Sequence, residues 1–95
     1  MKAELVFRLK NRLDDGALVE MVVWRVPQEV PGSHHPFKYR LYYGKDGKRI
    51  VGYDNERGKG DHRHVRGRES DYWFTTPEKV MADFLADVEE ARRKR

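Results

Sequence analysis

The chain has 95 residues, of which 38% are hydrophobic and 38% are charged, and it contains no cysteine. This length allows one small hydrophobic core, so residues 1–95 are expected to form a single α+β domain. The lack of cysteine excludes disulfides and thiolate metal sites. No apolar run reaches the roughly 7–15 residues of a signal peptide or the roughly 20 of a membrane helix, which predicts a cytoplasmic protein without membrane attachment.

The positive charge is concentrated in the middle of the chain. Residues 1–37 carry five basic and five acidic side chains, residues 38–68 carry ten and four, and residues 69–95 carry five and seven. The net charges are therefore 0, +6 and −2, which add up to the formal +4 of the whole chain. A local positive field favours a polyanionic partner, and nucleic acid is the first candidate. A solvated basic surface without a partner is the alternative.

The first half of the chain has the patterns of β-strands. Residues 2–13 alternate between apolar and charged side chains, which predicts a half-buried strand. Asp14, Asp15 and Gly16 then provide a hairpin turn. Residues 17–26 are apolar on both alternating positions, which predicts a central strand covered on both faces. Residues 27–36 contain three prolines and the pair His34-His35, and we interpret them as a surface loop.

The alternating pattern returns after this loop. Residues 37–43 predict a third strand, and Lys45-Asp46-Gly47-Lys48 predicts a second hairpin turn. Residues 49–55 predict the fourth strand, and the aromatic segment 70–74 predicts the fifth. Between these two strands, the basic segment 52–68 is interpreted as a loop that begins at the end of the fourth strand.

The last element is a predicted helix. Thr75-Thr76-Pro77-Glu78 combines a hydroxyl cap, a proline for the first turn and a capping-box glutamate. One apolar stripe follows at helical spacing, made of Val80, Met81, Phe84, Leu85 and Val88. The predicted fold is therefore α+β, an antiparallel sheet of about five strands with a C-terminal amphipathic helix packed on one face.

The segment 52–68, "GYDNERGKGDHRHVRGR", contains the residue types that RNA cleavage requires. Histidine is the usual residue for moving protons near neutral pH, so His62 and His64 are candidate general acid and base, with Glu56 as a further candidate base. The basic residues Arg57, Lys59 and Arg63 are candidates for binding phosphate. The alternative interpretation is a flexible glycine-rich loop with surface histidines.

A metal site at Asp61, His62 and His64 is the weaker hypothesis. No distant motif completes the ligand set, and the neighbouring arginines oppose a cation, so we expect neither a metal nor another cofactor. Outside this segment, Lys38, Arg40 and Tyr42 alternate on the same side of the third predicted strand. A basic and aromatic face of this kind is typical of single-stranded RNA binding.

Three segments make the chain similar to a known family: "WRVP" after the second predicted strand, "KYRLYYG", and "VGYDNERGKGDHRH". Together with "TTPEKVMADFLADVE", they resemble the TumE-type toxins of bacterial and archaeal toxin–antitoxin systems. The resemblance covers nearly the whole chain. It implies a toxin that is neutralised by a helix-turn-helix antitoxin, and it carries no assignment of catalytic residues.

Three hypotheses for the activity follow. The first is a toxin that cleaves RNA without a metal through the histidine-containing segment. The second is a non-enzymatic protein that blocks a nucleic acid or a ribosomal site with the same basic surface. The third is an enzyme that modifies RNA. The oligomeric state stays open, because the first and fifth predicted strands leave sheet edges that a partner or a second copy could pair with.

Overall fold

In the computed structural model, which describes residues 2–56 and 58–94, six strands form one antiparallel sheet and a helix packs on it. The strands are β1 (Glu4–Arg12), β2 (Leu18–Arg25), β3 (Phe37–Lys45), β4 (Lys48–Asp54), β5 (His62–Val65) and β6 (Arg68–Asp71). They lie side by side in chain order, from β1 to β6. The helix α1 spans Pro77–Arg93. The predicted α+β fold is confirmed.

The predicted turns and helix start are also confirmed. Gly16, Asp46 and Gly47 have positive φ angles of 87°, 53° and 77°, as tight hairpins require. Thr76 is the N-cap of α1, because its hydroxyl accepts a hydrogen bond from the Lys79 backbone N–H at 3.1 Å. Pro77 occupies the first turn, where its missing N–H costs nothing.

One strand more than expected forms within the segment that was interpreted as a loop. The β5–β6 hairpin turns at Arg66 and Gly67, whose φ angles are 51° and 82°. Both turn residues are left-handed, as in a type I′ hairpin. Arg is not among the residues that favour this conformation, so the sequence carried only a weak turn signal. The last strand was expected at residues 70–74. The strand that forms there, β6, begins earlier, at Arg68, and ends at Asp71.

The hydrophobic core lies between α1 and the centre of the sheet. Alternate residues of β2, β3 and β4 lie on the face that carries the helix. Among them are Met21, Leu41 and Tyr53, and all three are buried. From α1, the core receives Val80, Phe84, Val88 and Ala91. Leu85, which the sequence placed in the buried stripe, is 47% exposed.

The prediction that the first strand is half-buried is wrong, because all nine residues of β1 are exposed. The helix packs on β3 and β4, so it does not cover the edge of the sheet where β1 lies. A bulge between Leu5 and Phe7 also breaks the alternation of side chains. Among the described residues, no helix has the length and apolar character needed to cross a membrane.

Candidate functional site

The sheet surface that faces away from α1, here called the open face, collects the candidate residues of several strands. Cross-strand partners place Arg40, Asp54 and His62 in one row of neighbouring residues. Tyr42, Gly52 and His64 form the next row. Cross-strand partners in antiparallel strands point to the same face of the sheet. Each histidine lies two strands away from the β3 residue in its row, a distance of roughly 10 Å. Candidates far apart in the sequence thus share one surface.

A cleft of about 220 Å³ on the open face, here called the histidine cleft, contains four of the candidates. They are Glu56, Lys59, His62 and His64. Arg49, Asp54 and Glu69 line the same cleft, and the sequence did not indicate any of these three. Their position depends on the hairpin register, since His64 is the cross-strand partner of Glu69 in β6.

His64 is held between a cation and a carboxylate. Its Nδ1 lies 2.9 Å from Arg49 Nη2, and its Nε2 lies 3.2 Å from Glu69 Oε2. A guanidinium only donates hydrogen bonds, so Nδ1 accepts and Nε2 carries the proton of the neutral ring. Gly52 makes room for this contact, because a Cβ atom there would lie 2.7 Å from Arg49 Cδ. The ring is thereby fixed in one orientation and one tautomer.

His62 has one ring nitrogen that is not engaged. Its Nε2 donates to the backbone carbonyl of Lys59 at 2.6 Å. Its Nδ1 makes no hydrogen bond to any described residue, although Glu69 Oε2 and Asp71 Oδ1 lie 3.6 and 3.8 Å away. With Nε2 as the donor, Nδ1 of the neutral ring has a free lone pair. The atom is buried beside these two carboxylates, so a substrate reaches this lone pair only when the neighbouring side chains move.

Glu56 and Lys59 form an ion pair at the rim of the cleft. Lys59 Nζ lies 3.2 Å from Glu56 Oε2, and both side chains are well exposed. The hydrogen bond from Lys59 and its positive charge lower the pKa of Glu56 below the usual range. A lowered pKa makes Glu56 a weaker base. We therefore favour His62 over Glu56 as the group that takes the proton.

Basic and aromatic side chains continue across the open face. The Arg40 guanidinium lies 5.3 Å from the centre of the Tyr42 ring, and Arg8 of β1 lies 6.0 Å from the Trp24 ring. Lys38 anchors its amine on the Asn55 carbonyl at 2.9 Å. The predicted grouping of Lys38, Arg40 and Tyr42 on one face is thus present, and Arg8 and Trp24 extend it. Such surfaces suit phosphates and stacked bases.

Arg63 does not enter the histidine cleft. Strand alternation points it to the opposite face from His62 and His64, towards α1. There its Nε and Nη2 bind the two carboxylate oxygens of Asp87 at 2.8 and 3.0 Å, and Nε also binds Tyr53 Oη at 3.0 Å. This geometry makes Arg63 a link between β5, β4 and the helix. Arg57, the other arginine expected to bind phosphate, lies outside the described residues.

A third histidine, His35, is part of a buried network. Its Nε2 lies 2.8 Å from Asp61 Oδ2, and its Nδ1 accepts the Phe37 backbone N–H at 3.1 Å. Tyr39 donates to the same Asp61 oxygen at 2.5 Å, and the His35 ring stacks on Phe74 at 3.7 Å. The interpretation of His35 as a surface-loop residue is therefore wrong, whereas His34 is exposed.

A cleft of about 540 Å³ opens beside His35, but its chemistry is less favourable. Both His35 nitrogens are engaged, so neither is free to move a proton. Burial and the hydrogen bond to Asp61 raise the pKa of Tyr39 well above its ordinary value. A phenol that stays protonated is suited to supporting structure. The network fastens the 27–36 loop to the sheet.

Comparison with known proteins gives one match. The model of a protein family described as Toxin TumE matches residues 2–92. No curated protein and no solved structure matches the chain. In residues 2–56 and 58–94, no three His, Asp or Glu side chains are grouped in a way that could hold a metal ion.

Proposed function

Because the chain belongs to the TumE family of toxins, we propose that it acts in the cytoplasm by cleaving RNA without a metal cofactor. The observation that carries this proposal is the histidine cleft. It combines a histidine with a buried ring nitrogen that makes no hydrogen bond to any described residue, a second histidine held between Arg49 and Glu69, and two cationic side chains. The basic and aromatic open face leads to it.

The proposed reaction is an attack of a ribose 2′-oxygen on the adjacent phosphorus. His62 Nδ1 is buried beside Glu69 and Asp71, and once these side chains move aside it takes the 2′-hydroxyl proton as the O2′–P bond forms. His64, protonated on both nitrogens once Arg49 turns to the phosphate, gives a proton to the leaving 5′-oxygen as the P–O5′ bond breaks. Arg49 and Lys59 bind the phosphoryl oxygens, whose negative charge grows in the transition state. The products are a 2′,3′-cyclic phosphate and a 5′-hydroxyl.

The test is incubation of purified protein with RNA in EDTA. We expect cleavage that leaves 2′,3′-cyclic phosphate ends, and no cleavage of a substrate with 2′-deoxyribose on the 5′ side of the cleavage site. His62→Ala and His64→Ala should each lower the rate by about 10²–10⁴-fold. His34→Ala removes an exposed histidine outside the cleft and should leave the rate unchanged. Cleavage that persists on the deoxy substrate would rule out this mechanism.

A second candidate is a protein that binds RNA or a ribosomal site without turnover. It is favoured by the cation–aromatic pairs Arg40–Tyr42 and Arg8–Trp24, none of which lines the histidine cleft. In this case the histidine variants stay toxic, whereas loss of Arg40 and Tyr42 abolishes toxicity. Mass spectrometry of RNA from arrested cells distinguishes both candidates from RNA modification, which leaves an added group and no new ends.

Membership of a toxin family implies an antitoxin partner in general. We propose that this partner is a helix-turn-helix protein, as the resemblance to toxin–antitoxin pairs suggests. Co-expression with a neighbouring helix-turn-helix gene should restore growth and give a co-purifying complex. Restored growth without a complex would show that the two proteins do not act by direct contact.

A further inference from the structure

The outer edge of β1 is an unused pairing surface. In the part of the chain that the structure describes, β1 pairs with β2 on one side and no strand lies on its other side. A free edge exposes backbone N–H and C=O groups that can extend the sheet into another chain. On this edge, Leu5, Phe7 and Leu9 are exposed by 47%, 39% and 40%. Large apolar side chains beside open backbone groups favour pairing with a partner strand.

The opposite edge of the sheet lacks these features. The strand β6 has only four residues, Arg-Glu-Ser-Asp, all exposed. Short, charged edge strands are a common means of preventing unwanted pairing. At nine residues, β1 is more than twice as long and is apolar at several positions. The length and apolar residues of β1 make it the edge better suited to pairing, along the regular stretch 7–12 that follows the bulge at Leu5–Phe7.

The two faces of β1 determine what kind of strand fits. Phe7 and Leu9 are partners of the buried Val23 and Met21, so they lie on the face that carries α1. The open face of the same strand carries three basic residues, Arg8, Lys10 and Arg12. A complementary strand therefore has apolar side chains on one face and acidic side chains on the other. In sequence, these two types alternate.

A second copy of the chain does not satisfy this requirement. Antiparallel pairing of two β1 strands about a twofold axis keeps each face of the sheet on the same side. In the register centred on Lys10, it would place the three basic residues of one copy opposite the same three residues of the other. Like charges directly opposite are destabilising. Charge complementarity therefore favours a different protein with an acidic strand.

We propose that β1 is the docking edge for an extended segment of a partner protein, in which acidic and apolar residues alternate. The segment adds a seventh strand to the sheet, packs its apolar side chains beside Phe7 and Leu9, and pairs its carboxylates with Arg8, Lys10 and Arg12. β1 lies four strands from β5, about 19 Å, so the docked segment leaves the histidine cleft uncovered. This inference does not depend on the proposed activity.

The experiment uses a nine-residue peptide, as long as β1, in which Glu and Val alternate. Titration followed by NMR should give salt-sensitive binding, with amide-exchange protection in β1 and none in β6. A variant with Arg8→Glu and Lys10→Glu should bind this peptide at least about tenfold more weakly and should bind the corresponding Lys/Val peptide instead. The matched control Lys45→Glu/Lys48→Glu changes the same charge at the exposed β3–β4 turn and should bind like the wild type.

Lys10 faces Glu20 across the strands, so the charge reversal carries a risk to folding. Arg8→Gln/Lys10→Gln removes the charges without repulsion and should also weaken binding of the acidic peptide. Equal binding by this variant and the wild type, protection of β6 in place of β1, or no binding at millimolar peptide would overturn the proposal. So would a concentration-dependent dimer that protects β1, because the occupant would then be a second copy.

Discussion

At the scale of single residues, the hydrogen bonds of each histidine determine what it can do. His35 has both nitrogens engaged, by Asp61 and by the Phe37 backbone, and it stacks on Phe74. His62 lies in a cleft that also contains His64, and its buried Nδ1 makes no hydrogen bond to any described residue. The side chains are chemically identical, so the difference in role comes entirely from what surrounds each ring.

Mutation of Arg63 distinguishes a structural role of this residue from a phosphate-binding role. Because it joins Asp87 and Tyr53, Arg63→Ala should lower the free energy of unfolding by about 1–2 kcal/mol, a value reduced by the partial exposure of the guanidinium. Its effect on the RNA cleavage rate should be small at temperatures where the variant stays folded. Chemical denaturation and rate measurements check the two effects. A loss of rate without a loss of stability would return Arg63 to the site.

Asp83 should contribute to the pH dependence of stability. Partial burial raises its pKa, but hydrogen bonds from Lys79 and Tyr72, each 2.5 Å long, outweigh this and leave the pKa below its ordinary value. These two hydrogen bonds therefore stabilise the fold above about pH 4, and their contribution is lost as the pH falls through the lowered pKa of Asp83. Denaturation series between pH 6 and pH 2 should show a shallower loss of stability for Asp83→Asn than for the wild type.

At the scale of elements, two loops are held together by a close backbone contact. The backbone N–H of Gly58 donates to the Pro31 carbonyl at 2.7 Å. A Cβ atom on Gly32 would lie 2.9 Å from the Gly60 nitrogen and 3.0 Å from the Gly58 carbonyl carbon. The lack of a side chain at Gly32 and at Gly60, where a Cβ atom would lie 3.1 Å from the Gly32 carbonyl oxygen, therefore allows the two loops to cross, whereas nothing lies within 4 Å of a Cβ atom on Gly58.

Gly32→Ala should destabilise the protein by more than about 2 kcal/mol, because it combines a backbone collision with a φ angle of +91°. Gly16→Ala is the matched control. Its φ angle of +87° is similar, but nothing lies within 4 Å of the added Cβ, so only the conformational cost of about 1–2 kcal/mol remains. Denaturant unfolding of both variants gives the comparison. Equal losses would show that the loop crossing adds nothing.

At the scale of the whole molecule, the sheet separates two environments. The helix side contains the core and ion pairs such as Arg63–Asp87 and Arg92–Asp15. The open face carries the basic strand residues, the cation–aromatic pairs and the histidine cleft. Part of the basic segment contributes to this surface, namely Arg40, Arg49 and Lys59, whereas Arg63 and Arg66 bind α1. This arrangement predicts electrostatic binding of a nucleic acid to one side of the sheet.

Binding of single-stranded RNA to a His62→Ala/His64→Ala protein should weaken steeply with added salt. Each phosphate contact contributes about −0.7 to the slope of log affinity against log salt concentration. Arg40→Gln should lower the affinity and make the slope shallower by roughly that amount. Arg93→Gln removes the same charge from the end of α1 and should change neither. Fluorescence anisotropy at several salt concentrations measures the slopes, and identical slopes for both variants would exclude Arg40 from the interface.

The amino-acid sequence by itself determined the features that depend on neighbours in the chain. It predicted two hairpin turns, the start of α1 at Thr76 and the α+β class. It also indicated the basic segment that contains Glu56, Lys59 and His62. Each follows from local chemistry, namely a left-handed glycine, a capping hydroxyl, side-chain alternation or a local excess of charge.

Only the tertiary structure decided which side chains meet and which remain exposed. Arg49 and Glu69 reach His64 because of hairpin register, and Arg63 turns away because adjacent strand residues point to opposite faces. The strand β1 is exposed because α1 covers β3 and β4 instead. Register and coverage depend on contacts between distant parts of the chain, and a local pattern of residues does not contain them.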